Sequence, residues 1–301
     1  MGKITQGYQS LVEYTVDGKL AKRFVKPINI GTYSDGYIPE GIPVSELEDS
    51  QVRLSPDDRA FHAELYGHAF MRQYFPVSEI LDTDETSTTI VYEPFEPNIR
   101  LDDLVRKVIE KGQGKGYDLT QDPYGRILIE ANKSLGASLR KLHEDTYDAS
   151  KHKVKGTMDF RDGNVLVKEP KSLNGEKYNV IDFTSFGEID VYFALTVLPL
   201  TEMITASALY EQERKLDSEF KPEHLDLIAP ALQAFVEGYI GESVPTWLTH
   251  EQIEKYDTVT SGLDLTLFSI VTNQMPNAGI QKPGILMKKF YEAMESKSVY
   301  L

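Results

Sequence analysis

Apolar and polar residues alternate near the start of the chain, which is the pattern of a half-buried β-strand. Leu11–Val16 alternates in this way, Asp17 and Gly18 form a strong hairpin-turn signal, and the apolar pattern returns over Leu20–Val25. A further apolar, β-branched stretch lies at Thr88–Tyr92. We therefore expect a small antiparallel sheet in the first third of the chain.

Elsewhere the apolar residues mostly recur at the three- and four-residue intervals of amphipathic helices. A first helix is predicted near Ser55, the expected N-cap ahead of Pro56 and Asp58. A longer helix has Gly136 and Ala137, which permit close packing. The leucines of that longer helix are Leu128, Leu135, Leu139 and Leu142. Two later helical stretches are Tyr192–Arg214 and Leu225–Tyr239. The sequence thus predicts an α+β fold whose later two thirds are mainly helical.

Polar residues with a chemical use flank a predicted hairpin in the middle of the chain. Val165–Val167 and the residues before Asp182 are apolar and branched, with a polar turn between them. Such a hairpin would hold Asn164 and Asp182 side by side, and an amide oxygen with a carboxylate suits Mg²⁺. Asp159, shortly before Asn164, could then meet an incoming hydroxyl group.

The order Asp159, Asn164, Asp182 resembles the catalytic core of the aminoglycoside phosphotransferase and choline kinase-like family. This family is the small-molecule branch of the protein-kinase-like fold. It commonly reads His-Gly-Asp, then Asn, an apolar strand, a turn and Ile-Asp-Phe. Thr157 and Met158 stand where the family usually has His and Gly. The difference removes a common supporting side chain but no reacting group.

The resemblance implies a two-lobed protein-kinase-like fold. Residues 1–93 would form a small β-sheet lobe that clamps the nucleotide, and residues 94–301 a larger, mainly helical lobe for catalysis and acceptor binding. ATP and Mg²⁺ would be the cofactors, with ATP between the lobes. Asp159 would be catalytic, and Asn164 and Asp182 would bind the metal. The expected reaction is a direct in-line transfer to the hydroxyl of an aminoglycoside-, choline- or sugar-like acceptor.

The same resemblance implies residues that contact the phosphates. Lys26, at the end of a predicted strand, is similar to the family's phosphate-contacting lysine, and Lys22, on the same face of that strand, is its rival. Glu64 on the following helix would pair with this lysine. Gln6–Ser10 would be the turn that covers the phosphates, with Ser10 approaching them, although one glycine makes this a weak signal.

Further positions are implied for the base and for the support of the catalytic loop. The backbone of Glu93 and Phe95 would bind the base, with Tyr92 or Phe95 packing nearby. His143, at the end of a helix, is interpreted as a packing residue in preference to a catalytic one. Asp190 is similar to the family's Asp that braces the catalytic loop, and its alternative is a plain helix N-cap.

Composition narrows the class of partner. The 301 residues have a net charge of −15 and no cysteine, which excludes disulfides and thiolate metal sites. The acidic charge disfavours nucleic acid and mildly favours a neutral or cationic acceptor. No apolar run is long enough to span a membrane, and the N-terminus lacks an apolar signal core, so we expect a cytoplasmic protein. Residues 27–49 are interpreted equally as a lid or as a surface insertion.

Two other functions stay open. A protein Ser/Thr kinase is disfavoured because Thr184 replaces the glycine of Asp-Phe-Gly, and because His-Arg-Asp and Ala-Pro-Glu segments are missing. A nucleotide-binding pseudokinase or scaffold module gains slightly from the weak glycine turn, but the intact Asp159, Asn164 and Asp182 oppose it. Acidic candidates for the acceptor pocket are Glu188, Glu202, Glu211, Glu213 and Asp264.

Overall fold

The computed structural model describes residues 4–8, 11–16, 19–27, 54–95, 98–112, 117–169, 178–207 and 222–249. The chain divides into two compact units, each described by itself here. Unit 1 is Met1–Arg72, Val77–Glu96 and Ile181–Phe186, and unit 2 is Gln73–Pro76, Pro97–Val180 and Gly187–Leu301. Among the described helices, none is both long and apolar enough to cross a membrane. The division at residues 93 and 94 stays a prediction about function.

Unit 1 is built on an antiparallel sheet in the order β1-β2-β3-β6-β5, with β4 paired to β3. The hairpin predicted around Asp17 and Gly18 is confirmed, because Val16 pairs with Lys19 and the register continues along both strands. The described elements of unit 1 are β1 Ile4–Tyr8, β2 Leu11–Val16, β3 Lys19–Pro27, β4 Leu54–Pro56, α1 Asp58–Met71, β5 Ile80–Asp84 and β6 Thr89–Tyr92.

Helix α1 covers this sheet through a small apolar core. Phe61 of α1 packs with Ile90 and Tyr92 of β6, and all three side chains are buried. The N-cap is Asp57, whose carboxylate accepts a hydrogen bond from the Ala60 N–H at 3.2 Å. The prediction that Ser55 caps the helix was therefore wrong. Ser55 lies in β4, and the helix begins two residues later because an Asp there satisfies its first free N–H groups.

Unit 2 is mainly helical, as predicted. Its longest helix, α3, begins after Asp122, whose carboxylate accepts hydrogen bonds from the N–H groups of Tyr124 and Gly125. The described elements of unit 2 are β7 Asn98–Arg100, α2 Leu101–Gly112, α3 Pro123–Thr146, β8 Lys153–Thr157, the 3₁₀ turn Asp162–Asn164, β9 Val165–Lys168, β10 Tyr178–Val180, β11 Phe186–Asp190, α4 Val191–Ser207 and α5 Pro222–Ile240. Of β11, only Phe186 belongs to unit 1.

Helices α3 and α5 approach each other at two glycines. A Cβ at Gly136 would meet the backbone carbonyl of Phe235, and one at Gly238 would meet that of Lys133. The close packing predicted for Gly136 is thus confirmed. The predicted hairpin is also present, since Val165 of β9 pairs with Val180 of β10.

Candidate functional site

The loop that joins β8 to β9 carries the first group of predicted site residues. Asp159 lies in the turn after β8, and Asn164 ends the 3₁₀ turn before β9. The Asn164 side-chain N–H donates to the backbone oxygen and to Oδ2 of Asp159, both at 2.9 Å. Two hydrogen bonds from one amide fix the Asp159 carboxylate relative to its own backbone. Residues 159–164, called the 159–164 loop below, are therefore a closed local unit.

Arg161 adds a charge beside Asp159. Its Nε lies 3.0 Å from Asp159 Oδ1, which makes an ion pair. The Asp159 side chain is 19% exposed. A partly accessible carboxylate with a fixed orientation can accept a hydrogen bond from a hydroxyl of a bound molecule. That arrangement is the one expected of a positioned general base.

Asp162 is a functional candidate that the sequence did not single out. It is buried, with Oδ1 accepting from the Gly163 N–H at 2.9 Å and Oδ2 accepting from the Thr205 hydroxyl at 2.6 Å. Its backbone N–H donates to Thr201 Oγ1 at 3.1 Å. Burial raises the pKa of Asp162 to about 6, and the charge of Asp102 acts in the same direction. A sequence signal existed in the Thr201 and Thr205 pair, one helical turn apart.

A second group of predicted residues surrounds Glu64 in unit 1. The Glu64 carboxylate is buried, and it accepts hydrogen bonds from the Tyr92 hydroxyl at 2.9 Å and from the backbone N–H of Phe183. Burial raises the pKa of Glu64, the charge of Lys22 opposes this, and the charge of Asp182 adds to it. We call Lys22, Glu64, Tyr92, Asp182 and Phe183 the Glu64 cluster.

Of the two lysines considered from the sequence, the structure describes the side chain of Lys22, and its charge acts on Glu64. Lys22 is buried in the middle of β3, opposite Ile90 of β6, and its Nζ lies 5.8 Å from the centre of the Tyr92 ring. Lys26 lies four residues further along β3, opposite Ser55 of β4. The side chain of Lys26 falls outside the described part of the structure. The charge of Lys22 lowers the pKa of Glu64, and the pairing of Glu64 with a strand lysine stays a prediction.

Asp182 has a backbone conformation that few residues accept. Its φ is 68°, in the left-handed region that Asp and Asn tolerate better than other non-glycine residues. The Thr184 hydroxyl donates to Asp182 Oδ1 at 2.7 Å. This hydrogen bond orients the Asp182 carboxylate. The following residue, Phe183, is held by its N–H bond to Glu64.

Gly67 lets helix α1 lie against this segment. A Cβ at position 67 would be 2.7 Å from Cβ of Phe183 and 2.9 Å from both the Phe183 carbonyl oxygen and Cβ of Phe186. No side chain larger than hydrogen fits without a shift. Glu64 and Gly67 are one helical turn apart, so the same face of α1 binds the Phe183 N–H and accepts its side chain.

The three residues predicted to contact the base, Tyr92, Glu93 and Phe95, differ in burial and in hydrogen bonding. Tyr92 is buried and donates to Glu64, so its ring belongs to the core of unit 1. The Glu93 N–H donates to the backbone oxygen of Glu79 at 2.8 Å, which leaves the Glu93 carbonyl as the group for a base. Phe95 is half-buried. Ser10 and residues 28–49 lie outside the described residues.

His143 and Asp190, both in unit 2, make contacts that stabilise the fold. His143 is fully buried, and its Nδ1 lies 2.7 Å from the Tyr239 hydroxyl. Burial lowers the pKa of His143 to about 3, which keeps the ring neutral and agrees with the packing interpretation. Asp190 caps α4, accepting from the N–H groups of Tyr192 and Phe193. This is the plain N-cap that the sequence allowed.

Two of the acidic acceptor candidates lie in described parts of the chain. Glu202 is buried, and its Oε1 accepts a hydrogen bond from the Asn132 side chain at 2.9 Å. Burial raises the pKa of Glu202 to about 8. Glu188 forms an exposed ion pair with Lys151 at 3.3 Å. A core position explains Glu202 without an acceptor, whereas Glu211, Glu213 and Asp264 lie outside the described residues.

The side chains proposed from the sequence as metal ligands are oxygen donors in different units. Asn164 uses its amide nitrogen on Asp159, so its oxygen is the atom that a cation would take. The hydrogen bonds described for Asp182 both go to Oδ1. Amide and carboxylate oxygens fit a hard divalent cation. Within the described residues, no three His, Asp or Glu side chains converge as a protein-only metal site.

Comparison with known proteins gave matches among solved structures only, since no family model and no curated protein matches the sequence. A choline/ethanolamine kinase family protein from Mesorhizobium loti has 11% identity and a TM-score of 0.41, over 99% of this chain and 87% of that one. Choline kinase LicA from Streptococcus pneumoniae has 14% identity and a TM-score of 0.36, over 97% and 90%.

A third structure is the amicoumacin kinase hAmiN in complex with AMP-PNP, Ca²⁺ and Ami. It has 12% identity and a TM-score of 0.41, over 97% of this chain and 86% of that one. The three proteins are small-molecule kinases by name.

Proposed function

We propose that this protein is an ATP-dependent phosphotransferase that phosphorylates a hydroxyl group of a small molecule. One observation carries the proposal: three segments far apart in sequence bring Lys22, Glu64 and the Asp182-Phe183 pair together in unit 1. A buried carboxylate that shares its surroundings with one lysine and one aspartate has little use as packing alone, because burying such charges costs free energy. It suits a group that must hold a lysine in place.

In this proposal Lys22 contacts the phosphates of ATP and Glu64 orients it. The lysine charge offsets the negative charge of the phosphates in both the ground state and the transition state. The Tyr92 hydroxyl and the Phe183 N–H fix the Glu64 carboxylate, so the orientation of Lys22 does not depend on a mobile partner. Lys26, preferred from the sequence, becomes the rival assignment.

Mg²⁺ would be held by the side-chain oxygens of Asn164 and Asp182. When bound, the ion neutralises charge that develops on the β- and γ-phosphates. Asn164 supports this role because its amide nitrogen is already engaged with Asp159, which orients the remaining oxygen. Thr184 supports it by fixing the Asp182 carboxylate.

Asp159 would orient the acceptor hydroxyl and take its proton as the oxygen–phosphorus bond forms and the bond to ADP breaks. Its two hydrogen bonds from Asn164 and its ion pair with Arg161 preset the direction of the carboxylate. Most of the acceleration then comes from positioning and electrostatics. The base would be bound by the Glu93 carbonyl and by Phe95, with Ser10 over the phosphates.

The decisive experiment is a screen of hydroxylated metabolites, amino alcohols and aminoglycosides with MgATP. Phosphorylated product is detected by mass spectrometry and ADP by a coupled assay. The matched control is Asp159→Asn, which keeps the size of the side chain and one accepting oxygen but removes its charge. We expect product with wild type and at least ~10²-fold less with the variant.

Two outcomes would replace the proposal. Binding of MgATP without turnover on any acceptor would favour the pseudokinase or scaffold alternative. Phosphorylation of protein or peptide hydroxyls, but of no small molecule, would favour the protein kinase alternative. A cytoplasmic location is part of the same proposal, since ATP must be present where the protein acts.

A further inference from the structure

The side chain of Asp162 has no part in the chemistry proposed above, yet it is the most completely bonded group of the 159–164 loop. Its backbone N–H and both carboxylate oxygens all have partners, at 3.1, 2.9 and 2.6 Å. Two of the three partners, Thr201 and Thr205, belong to helix α4 and lie one turn apart on it. The loop is thus bound to one face of a helix through a single residue.

These contacts connect directly to Asp159 and Asn164. Asp162 begins the 3₁₀ turn that Asn164 ends, and the Asn164 backbone N–H donates to the Arg161 oxygen at 2.9 Å. The Arg161 N–H in turn donates to the Asp159 oxygen at 2.9 Å. A displacement of Asp162 would therefore move the backbone from which both Asp159 and Asn164 project.

The hydrogen bonds between Asp162 and helix α4 lie in a buried region. Asp162, Gly163, Asn164 and Thr201 are all buried, so water cannot easily replace a lost partner. A Cβ at Gly163 would lie 2.7 Å from Nη2 of Arg100, which shows how little room the turn has to shift. The Thr201 hydroxyl also donates to the Leu198 oxygen at 2.8 Å, so it is itself fixed in the helix.

We propose that Asp162 is a positioning residue: it fixes the 159–164 loop to Thr201 and Thr205 of helix α4 and thereby sets the placement of Asp159 and Asn164 for phosphoryl transfer. The catalytic part of this inference rests on the proposed function. The structural part, that the helix controls the position of the Asn164 amide, does not. The two parts can therefore be tested separately.

The test compares Thr205→Val with Thr205→Ser. Valine keeps the shape of threonine but removes the hydroxyl that donates to Asp162, whereas serine keeps the hydroxyl. Asp162→Ala removes both accepting oxygens, and Asp162→Asn keeps one of them as the conservative variant. Melting temperatures identify which variants fold, and Thr205→Val, at a half-buried position, keeps the test valid if Asp162→Ala does not fold.

Two measurements are made on each folded variant. The first is the ¹⁵N chemical shift of the Asn164 side-chain amide, assigned by its absence in Asn164→Ser. The second is the steady-state kcat and the KM for MgATP. We expect the amide resonance to move in Thr205→Val and Asp162→Ala but not in Thr205→Ser. We expect kcat to fall about 10- to 100-fold in the same two variants, with KM changing less. Asp162→Asn should lie between Asp162→Ala and wild type.

The amide shift tests the structural part of the inference, and kcat tests the catalytic part. An unmoved Asn164 amide in Thr205→Val, or a wild-type kcat in a variant whose amide has moved, overturns the inference. A loss of melting temperature with unchanged kcat would assign Asp162 to stability alone and also overturns it. If the amide moves as expected but wild type transfers phosphate to no acceptor, the proposed function fails while the control of the loop by α4 stands.

Discussion

Glu64 and Asp159 are both carboxylates held by hydrogen bonds, but their surroundings differ. Glu64 in unit 1 is 1% exposed, and its partners come from distant parts of the chain. Asp159 in unit 2 is 19% exposed in its side chain, and Arg161 and Asn164, which contact it, lie within five residues. Burial removes Glu64 from any direct reaction with a bound molecule and leaves it to orient a neighbour. Because Asp159 is partly exposed, its carboxylate can contact a bound molecule.

The comparison predicts that substitution at the two sites has different consequences. Changes at Asp159 should affect rate with little effect on folding, because the 159–164 loop keeps its other contacts. Changes around Glu64 should affect stability as well as rate, because an unpaired buried charge is costly. Each of the following predictions tests one side of this difference.

The largest effect is expected for Asp159→Asn. The asparagine keeps the size of the side chain but cannot take a proton, so kcat should fall by ~10²–10⁴ while the affinity for MgATP changes little. Steady-state kinetics with an identified acceptor and calorimetric titration with MgATP measure the two quantities. Near-wild-type turnover of the purified variant would remove Asp159 from the mechanism.

The next effect is expected for Lys22→Met. The methionine fills a similar volume but leaves Glu64 without its cation, so the free energy of unfolding should fall by about 3 kcal/mol and ATP turnover should be lost. The matched control is Lys26→Met on the same strand, which should change neither quantity much. Denaturant unfolding and steady-state kinetics provide the measurements.

A double mutant sharpens this prediction. Glu64→Gln removes the buried charge, so Lys22→Met combined with Glu64→Gln should be more stable than the sum of the single effects indicates. Additive losses, or a silent Lys22→Met with a damaging Lys26→Met, would give the phosphate-contacting role back to Lys26.

A smaller effect is expected for Gly67→Ala. The new Cβ would lie 2.7 Å from Cβ of Phe183, and overpacking of this kind costs about 1–3 kcal/mol. Gly187→Ala is the control, because a Cβ there has no atom within 4 Å. Thermal unfolding should separate the two variants. Equal melting temperatures would show that the Phe183 segment does not depend on its contact with helix α1.

A pH dependence is expected at Glu202, a buried carboxylate that accepts a hydrogen bond from Asn132. Its pKa in the folded protein, about 8, lies above the ordinary value of 4.5, so folding favours the protonated form. The stability that this group contributes is fully present below pH 4.5 and is lost as the pH rises to about 8. The loss is at most about 1.4 kcal/mol per pH unit.

Glu202→Gln isolates this contribution because glutamine keeps the oxygen that accepts from Asn132 and does not titrate. The difference in unfolding free energy between wild type and Glu202→Gln should shift in favour of the variant between pH 5 and pH 8. A difference that is constant over this range would mean that Glu202 is ionised in the folded protein throughout.

The sequence was most informative where the chemistry is local. The hairpin of β9 and β10 and the helix α3 with Gly136 could both be predicted, because neighbouring residues determine them. The two antiparallel strands around Asp17 and Gly18 followed from the turn signal for the same reason.

The sequence was least informative about contacts between segments that are far apart along the chain. Lys22 and Lys26 are four residues apart on one predicted strand, and the effect of Lys22 on Glu64 depends on the pairing of β3 with β6 and the packing of α1. The roles of Gly67 and Asp162 depend on contacts with Phe183 and Thr205, which are distant in sequence. The spacing of Thr201 and Thr205 alone does not indicate which residue they bind. The N-cap was misassigned because Ser55 and Asp57 are both good caps, and the strand β4 determines which of them is used.

The chain has one tryptophan, Trp247, and its surroundings make it an optical reporter of unit 2 alone. Its indole N–H donates to the Tyr239 hydroxyl at 3.1 Å, and its ring centre lies 4.9 Å from that of Tyr147. Unfolding of unit 2 would expose this buried ring and shift its emission to longer wavelength, whereas unfolding of unit 1 would not. Circular dichroism records both units. Comparing the two signals in one melting experiment therefore measures whether the units unfold together, with no dye or label added.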